Sequence, residues 1–171
     1  MSSHQGAAGS SVAVDAWRIF NVEHGWLVAP MARHIGTEWT PGVNNATCNK
    51  SHRAPAPAAS CTCGIHACLE LDQLILYATR SRYGMSFCSL MVNFPFIARV
   101  RLSGNILPTV DSTDTPTTVR ASHAELLELH LPMRRRPELN KLLPRYPNVT
   151  FVVHPPATWS HRPLVDLAGD F

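Results

Sequence analysis

The segment 46–68 constrains the fold more than any other part of the chain, because it gathers four of the five cysteines and two histidines around a proline-rich stretch. These residues follow the spacing Cys48-x3-His52-x8-Cys61-x-Cys63-x2-His66-x-Cys68. Between them, residues 53–60 carry two prolines, which lack the backbone N–H that a helix or a central strand needs. We therefore expect a stiff, extended spacer between two groups of metal-ligating side chains.

The spacing within each group suits a zinc ion, which prefers four thiolate and imidazole ligands in a tetrahedron. Cys48 and His52 are four residues apart, so one helical turn would present both on the same side. Cys61 and Cys63 are two residues apart, so an extended chain points both the same way. Gly64 then permits a tight backbone around the ion. The predicted ligands of a structural zinc ion are Cys48, His52, Cys61 and Cys63, with His66 and Cys68 in reserve.

Two alternatives compete with zinc at this segment. The thiols could form a buried cluster without any metal. An iron–sulfur cluster needs four thiolates in most cases, and a histidine in the ligand set makes it a poorer match. The spacing also differs from the common CxxC…CxxC ribbon, so the pattern favours zinc without requiring it.

Part of this segment resembles an uncharacterised family from actinobacteria and their phages. The resemblance lies in the run His52-x-Ala54-Pro55-x-Pro57 and in the run Cys61-x-Cys63-Gly64-Ile65-His66-Ala67. An upstream element, Trp39-Thr40-Pro41-Gly42, also matches that family. The similarity covers about residues 16–121.

The chain departs from the family at two places. The family has Tyr where this chain has His66, and it has Leu-Trp-Gly where this chain has Leu102-Ser103-Gly104. The first difference implies that position 66 is not a required ligand, which favours the four-residue set above. The resemblance implies a cytosolic, metal-binding type of module and supplies no catalytic residue.

The first half of the chain predicts strands around one main helix. An aromatic and β-branched stretch at 14–22, a turn at 23–25 and a return at 26–29 indicate a hairpin. Apolar residues at helical spacing predict a helix over 69–83, which Gly84 can end. A continuous apolar run at 85–92 predicts a buried strand.

The second half mixes strand and helix signals. Phe96, Ala98, Val100 and Leu102 alternate with other residues, which predicts a strand with one buried face. Gly104-Asn105 fits a type II′ turn into a return strand over 106–110, followed by a polar loop over 111–118. The sequence Ser122-His123-Ala124-Glu125 has the form of a capping box and predicts a helix through about residue 131. Alternation at Leu127, Leu129 and Leu131 leaves a strand as the alternative.

The C-terminal part adds a short helix and a strand. Pro137 suits the first position of a helix that runs to 143, and residues 149–153 predict a strand. The resulting fold class is α+β, with mostly antiparallel strands, one main helix after the metal loop and a shorter C-terminal helix. The predicted organisation is a disordered leader at 1–12, one globular domain at 13–153 with its metal loop at 46–68, and a Pro-rich tail at 154–171.

Composition limits the function classes. Fifteen Lys and Arg against twelve Asp and Glu give a formal net charge of +3, which is mild for a nucleic-acid binder. No apolar run reaches the roughly 18 residues of a membrane-spanning helix. The leader has no basic and apolar signal segment, so we expect a cytoplasmic protein with reduced thiols. Acidic residues are sparse, and no phosphate loop, nucleophile elbow or H-E-x-x-H motif occurs.

Arginines supply the second set of candidate site residues. Arg99 and Arg101 share one face of a predicted strand, and three arginines in a row precede the C-terminal helix. A partner that is acidic, whether a protein or a nucleic acid, would bind these side chains. The candidate partner-binding residues are Arg99, Arg101, Arg134, Arg135 and Arg136.

The sequence favours a small, zinc-stabilised interaction module over an enzyme. It would be encoded by a mobile element or phage and would bind a host protein. One alternative is a nucleic-acid-binding protein that uses the arginine surface. The other is a zinc-dependent hydrolase, for which only His66 and His24 are available as an acid or base. The oligomeric state does not follow from the sequence.

Overall fold

Strands dominate the computed structural model, which describes residues 13–29, 38–48, 55–74, 96–109 and 117–155. Seven strands lie in these ranges, with one 3-10 turn and one short helix besides a helical turn at 71–74. The strands are β1 (Val14–Glu23), β2 (Trp26–Val28), β3 (Val43–Asn45), β4 (Ile65–Cys68), β5 (Phe96–Pro108), β6 (Thr118–Pro132) and β7 (Thr150–His154). The 3-10 turn is Met133–Arg135, and the helix, α1, is Arg136–Leu142.

The predicted α+β class is therefore wrong, because the protein is mostly β. The main reason is the stretch 122–131, where the helix predicted from the capping box is replaced by the middle of β6. Ser122 caps no helix; its Oγ accepts a hydrogen bond from the backbone N–H of Asn105 at 3.2 Å. The strand alternative, which rested on alternating leucines, is confirmed.

The predicted N-terminal hairpin is confirmed. β1 and β2 pair antiparallel, from Asn21 opposite Val28 to Glu23 opposite Trp26. The two residues between them, His24 and Gly25, both adopt positive φ, at 52° and 79°. Such φ values give the tight turn whose twist matches the strands on either side.

β5 is longer than the sequence predicted. It runs through Gly104 and Asn105 instead of turning there, so the predicted type II′ turn is wrong. The two residues form a bulge in the pairing of β5 with β6, between Ser103 and Ile106. Gly104 has φ +78°, and a Cβ at this position would lie 2.7 Å from His123 Cδ2. The glycine therefore serves a bulge, where the extra residue bends the strand without ending it.

β6 organises the sheet because its two edges are paired along most of its length. One edge pairs with β5 throughout, while the other pairs in turn with β4, β3 and β7. All these pairings are antiparallel except the one with β7, which is parallel. β5 also pairs with β1, and β1 pairs with β4 at Trp17 opposite Cys68. The four strands β1, β5, β6 and β4 thus form a closed ring of pairings.

The hydrophobic core lies on the inner face of this ring. The alternating residues that were predicted to face inward on β5 are all fully buried. Ala16 and Phe20 from β1 and Leu129 and Leu131 from β6 join them. The four fully buried residues of β5 are Phe96, Ala98, Val100 and Leu102.

Several predicted elements fall partly or wholly outside the described residues. For the helix predicted over 69–83, the structure describes a helical turn at 71–74 and nothing beyond it. The strand predicted over 85–92, the leader at 1–12 and residues 156–171 of the tail also lie outside. The short C-terminal helix and the last strand are confirmed as α1 and β7.

Tyr146 ties the hairpin to the C-terminal part of the chain. Its side chain is fully buried, and its hydroxyl accepts a hydrogen bond from the N–H of Leu27 at 2.9 Å. The same hydroxyl donates to the carbonyl oxygen of Trp39 at 2.7 Å. Burial raises the pKa of Tyr146, so the hydroxyl keeps its proton and can donate.

We expect Tyr146→Phe to lower the free energy of unfolding by about 1–3 kcal/mol, because a buried N–H and a buried carbonyl lose their partner. Urea unfolding followed by circular dichroism measures the change. Thr150→Val, which removes an exposed hydroxyl from β7, is the control and should stay within about 0.5 kcal/mol of the wild type. Equal stabilities of Tyr146→Phe and the control would contradict this role.

Candidate metal centre

Three of the predicted ligands come together in the structure. The sulfur atoms of Cys48, Cys61 and Cys63 all lie within 4.8 Å of one another. Cys61 is buried, and the other two are half-buried. The four described cysteines are thiols and not disulfides. Within the described residues the group contains no histidine and no carboxylate.

The spacing of the sulfurs suits a tetrahedral metal ion. Cys48 Sγ and Cys61 Sγ are 3.7 Å apart. A tetrahedral ion with Zn–S bonds of about 2.3 Å places two sulfurs about 3.8 Å apart. The arrangement can therefore hold a metal ion without a large movement of these two side chains.

Backbone contacts of the proline-rich loop bring Cys61 and Cys63 together. The N–H of Cys61 donates to the carbonyl of Ala58 at 3.1 Å, which forms a turn. The N–H of Ala58 donates to Cys63 Sγ at 3.4 Å. These two bonds fix the turn of backbone that carries Cys61 and Cys63.

Gly64 lets this loop approach β6 closely. Its φ is +128°, a conformation that side-chain-bearing residues rarely adopt. A Cβ on Gly64 would lie 3.0 Å from Cβ of Arg120 and 3.0 Å from Cβ of Pro57. The glycine after Cys63, singled out in the sequence for its flexibility, thus allows close packing as well.

Arg120 holds the loop, and sequence reasoning missed it. The side chain is 1% exposed. Its NH1 group donates to the carbonyl oxygens of Ala58, Cys61 and Cys63, at 3.3 Å to the first and 3.1 Å to the last. Nε and NH2 both donate to the carbonyl of Pro108, at 3.3 and 3.2 Å. The sequence contains one signal of this role: Arg120 is the only charged residue in the stretch 117–122.

The other predicted ligands are placed differently. His52 lies outside the described residues. His66 Nε2 is 2.8 Å from the carbonyl oxygen of Thr62, and the residue does not belong to the sulfur group. Cys68 is buried against Leu71 and Leu74, with its sulfur 3.7 Å from Thr118 Oγ1. The two reserve ligands therefore stand apart from the three sulfurs.

The centre lies on the opposite side of the β4–β6 ladder from the core. Directly opposite residues of an antiparallel pair point to the same face. Ile65 and Ala121 form one such pair and belong to the core, while the next pair, His66 and Arg120, points to the other face. The cysteine loop that Arg120 holds therefore packs on the outer face.

The arginines of β5 are already engaged with acidic neighbours. Arg99 contacts Asp15 at 2.7 Å and Glu128 at 3.2 Å, and Arg101 contacts Asp15 at 3.0 Å. Burial alone would raise the pKa of Asp15, but hydrogen bonds from Arg101 and Arg99 outweigh it and lower that pKa. An acidic partner of Arg99 and Arg101 would have to compete with these ion pairs.

The other predicted arginines surround the start of α1. Arg134 and Arg136 are exposed, and Arg135 pairs with Glu138 at 2.7 Å. Arg134 and Arg135 also line an open surface cavity of about 270 Å³ with Pro137 and Glu138. None of the described residues of the cysteine segment lines this cavity. Partner binding by these arginines stays a prediction.

A histidine pair, with His130 buried and His154 half-buried, forms a second titratable group. His130 Nδ1 is 3.0 Å from His154 Nε2, and the two rings stack. Burial lowers the pKa of His130, and the nearby His154 lowers it further, while Glu128 opposes the shift. Burial also lowers the pKa of His154. The pair is therefore neutral at pH 7.

Comparisons with protein-family models, curated proteins and solved structures found no match to this chain. In the part of the chain that the structure describes, no helix has the length and apolar character needed to span a bilayer.

The histidine pair predicts that acid destabilises the fold. A histidine has a pKa of about 6.5 in the unfolded chain, and both folded values are lower. As the pH falls below about 6.5, the unfolded chain takes up protons that the folded chain does not, so the free energy of unfolding falls. Above that pH, the contribution of the histidine pair to the free energy of unfolding is fully present. Thermal unfolding at a series of pH values between about 7.5 and 5.5 measures the loss.

His154→Phe isolates this effect, because it keeps a ring beside His130 but removes one titrating group. We expect its loss of stability on acidification to be smaller than that of the wild type. His24→Asn is the control, since His24 is exposed and asparagine tolerates its positive φ. A pH profile of His154→Phe that matches the wild type would contradict the assignment.

Proposed function

We propose that this protein is a small, non-enzymatic interaction module whose fold is stabilised by one structural zinc ion. Cys48, Cys61 and Cys63 would supply three thiolates, and His52 the fourth ligand. The observation that carries the proposal is the convergence of three sulfurs, with a 3.7 Å separation between two of them. His52 follows Cys48 by four residues, which keeps it within reach of the same ion.

The surroundings of the sulfurs support a structural role over catalysis. Structural zinc sites are closed by four protein ligands, whereas catalytic sites keep one position open for water. Among the described residues, no histidine or carboxylate ligand atom belongs to the group of three sulfurs. The buried Cys61 and the loop fixed by Arg120 also suit a closed site.

Two further points support the biological setting. The described cysteines are thiols, as expected in a reducing compartment such as the cytoplasm. The resemblance of the Cys/His motif to an actinobacterial and phage family is the basis on which we propose a mobile-element or phage origin. A protein partner from the host is the corresponding binding target.

We expect the purified wild type to hold one zinc ion per chain, and Cys63→Ser and Cys61→Ser to hold less than about a tenth of that. A structural zinc ion contributes on the order of 10 kcal/mol of apparent binding at neutral pH, so a strong chelator should unfold the wild type. Metal analysis and circular dichroism before and after chelation measure both effects.

Cys68→Ser is the matched control, because Cys68 is a buried thiol of the same segment whose sulfur lies outside the group of three. It should keep its zinc. A metal-free wild type that is folded, or zinc loss in Cys68→Ser equal to that in Cys63→Ser, would refute the proposed centre.

The partner class is tested by affinity capture from host lysate, with and without nuclease treatment. We expect the wild type to capture a protein in both cases and Cys63→Ser to lose it, because the loop no longer has its shape. Capture that disappears after nuclease treatment, or that falls steeply with added salt, would indicate nucleic-acid binding instead.

A further inference from the structure

We infer that Arg120 is a positioning residue of the metal centre: it holds the cysteine loop in its metal-binding shape and balances the charge of the bound thiolates. The inference rests on the zinc site proposed above and assigns to a residue of β6 a role that the cysteine spacing does not reveal.

The first argument is geometric. The planar guanidinium carries five N–H groups in a fixed arrangement, and Arg120 directs them at four backbone carbonyls. Two of these carbonyls belong to Cys61 and Cys63, so the bonds fix the backbone that carries two of the three sulfurs. Because metal binding is coupled to folding, bonds that stabilise the folded loop also raise the apparent affinity for the ion.

The second argument concerns charge. Arg120 is a buried cation, and no carboxylate of the described residues pairs with it. A buried cation is costly unless an opposite charge lies nearby. A divalent ion with three thiolates and one neutral ligand has a net charge of −1, which the guanidinium would balance. The arrangement therefore fits three thiolates with a neutral fourth donor better than four thiolates.

Arg101 provides the contrast on the same sheet. It is exposed, and it pairs with Asp15 at 3.0 Å on the surface. Its side-chain hydrogen bond and ion pair both go to Asp15, which does not belong to the cysteine loop. A substitution there removes an arginine from the sheet while leaving the loop untouched.

The experiment titrates Co²⁺ into the metal-free wild type and into Arg120→Lys, Arg120→Met and Arg101→Met. Tetrahedral Co²⁺–thiolate complexes absorb visible light, so the titration reports both affinity and ligand geometry. We expect Arg120→Met to bind Co²⁺ at least about tenfold more weakly than the wild type, as for other residues that orient metal ligands. The affinity of Arg120→Lys should fall between those of the wild type and Arg120→Met, because lysine keeps the charge but lacks the planar guanidinium and its fixed N–H groups.

We expect the Co²⁺ spectra of both Arg120 variants to shift, and Arg101→Met to match the wild type in affinity and spectrum. Affinities of Arg120→Lys and Arg120→Met within twofold of the wild type, with unchanged spectra, would overturn the inference. Should Arg120→Met not fold even in saturating Co²⁺, Arg120→Lys alone decides by the same criterion. A wild type that binds no Co²⁺ and no Zn²⁺ would refute the metal centre itself, which is a distinct result.

Discussion

The hydrogen-bond pairing of β6 is the constraint on which the rest of the structure depends. A strand of 15 residues presents a long row of backbone N–H and C=O groups, and buried groups of this kind need partners. β5 satisfies one edge, and three short strands share the other. Because Arg120 lies near the start of β6, the same strand that organises the core also carries the side chain that holds the cysteine loop. The metal centre and the sheet are therefore parts of one arrangement.

Much of the strand structure could be predicted from local patterns, and the reasons for the failures are specific. The hairpin of β1 and β2, the alternation in β5 and the short helix α1 each follow from signals within a few residues. β6 could not be assigned in this way, because the capping-box pattern at 122–125 favours a helix locally. Pairing on both edges overrides that local preference, as it commonly does in sheets. The bulges in the β5–β6 ladder also interrupt the period of two on which strand recognition depends.

In the candidate site too, some features could be predicted from residues close together in the sequence, and others could not. The spacing of Cys48, Cys61 and Cys63 pointed to one cluster, and the structure brings their sulfurs together. Arg120 could not be predicted as a part of it, since it lies 57 residues beyond Cys63 and reaches the loop only through strand pairing. In the same way, the spacing that made Cys68 a reserve ligand says nothing of the leucines against which it packs.

The use of carbonyl oxygens as the acceptors of Arg120 bears on how this loop can diverge in evolution. Every amino acid carries the same backbone carbonyl group, so the hydrogen bonds of the guanidinium depend on the position of the backbone and not on the identity of the side chains. Exposed positions such as Thr62 can therefore drift freely between homologous proteins, whereas an insertion or deletion between Ala58 and Cys63 would displace an acceptor. Apart from the two cysteines, the length of this loop is under stronger selection than its composition.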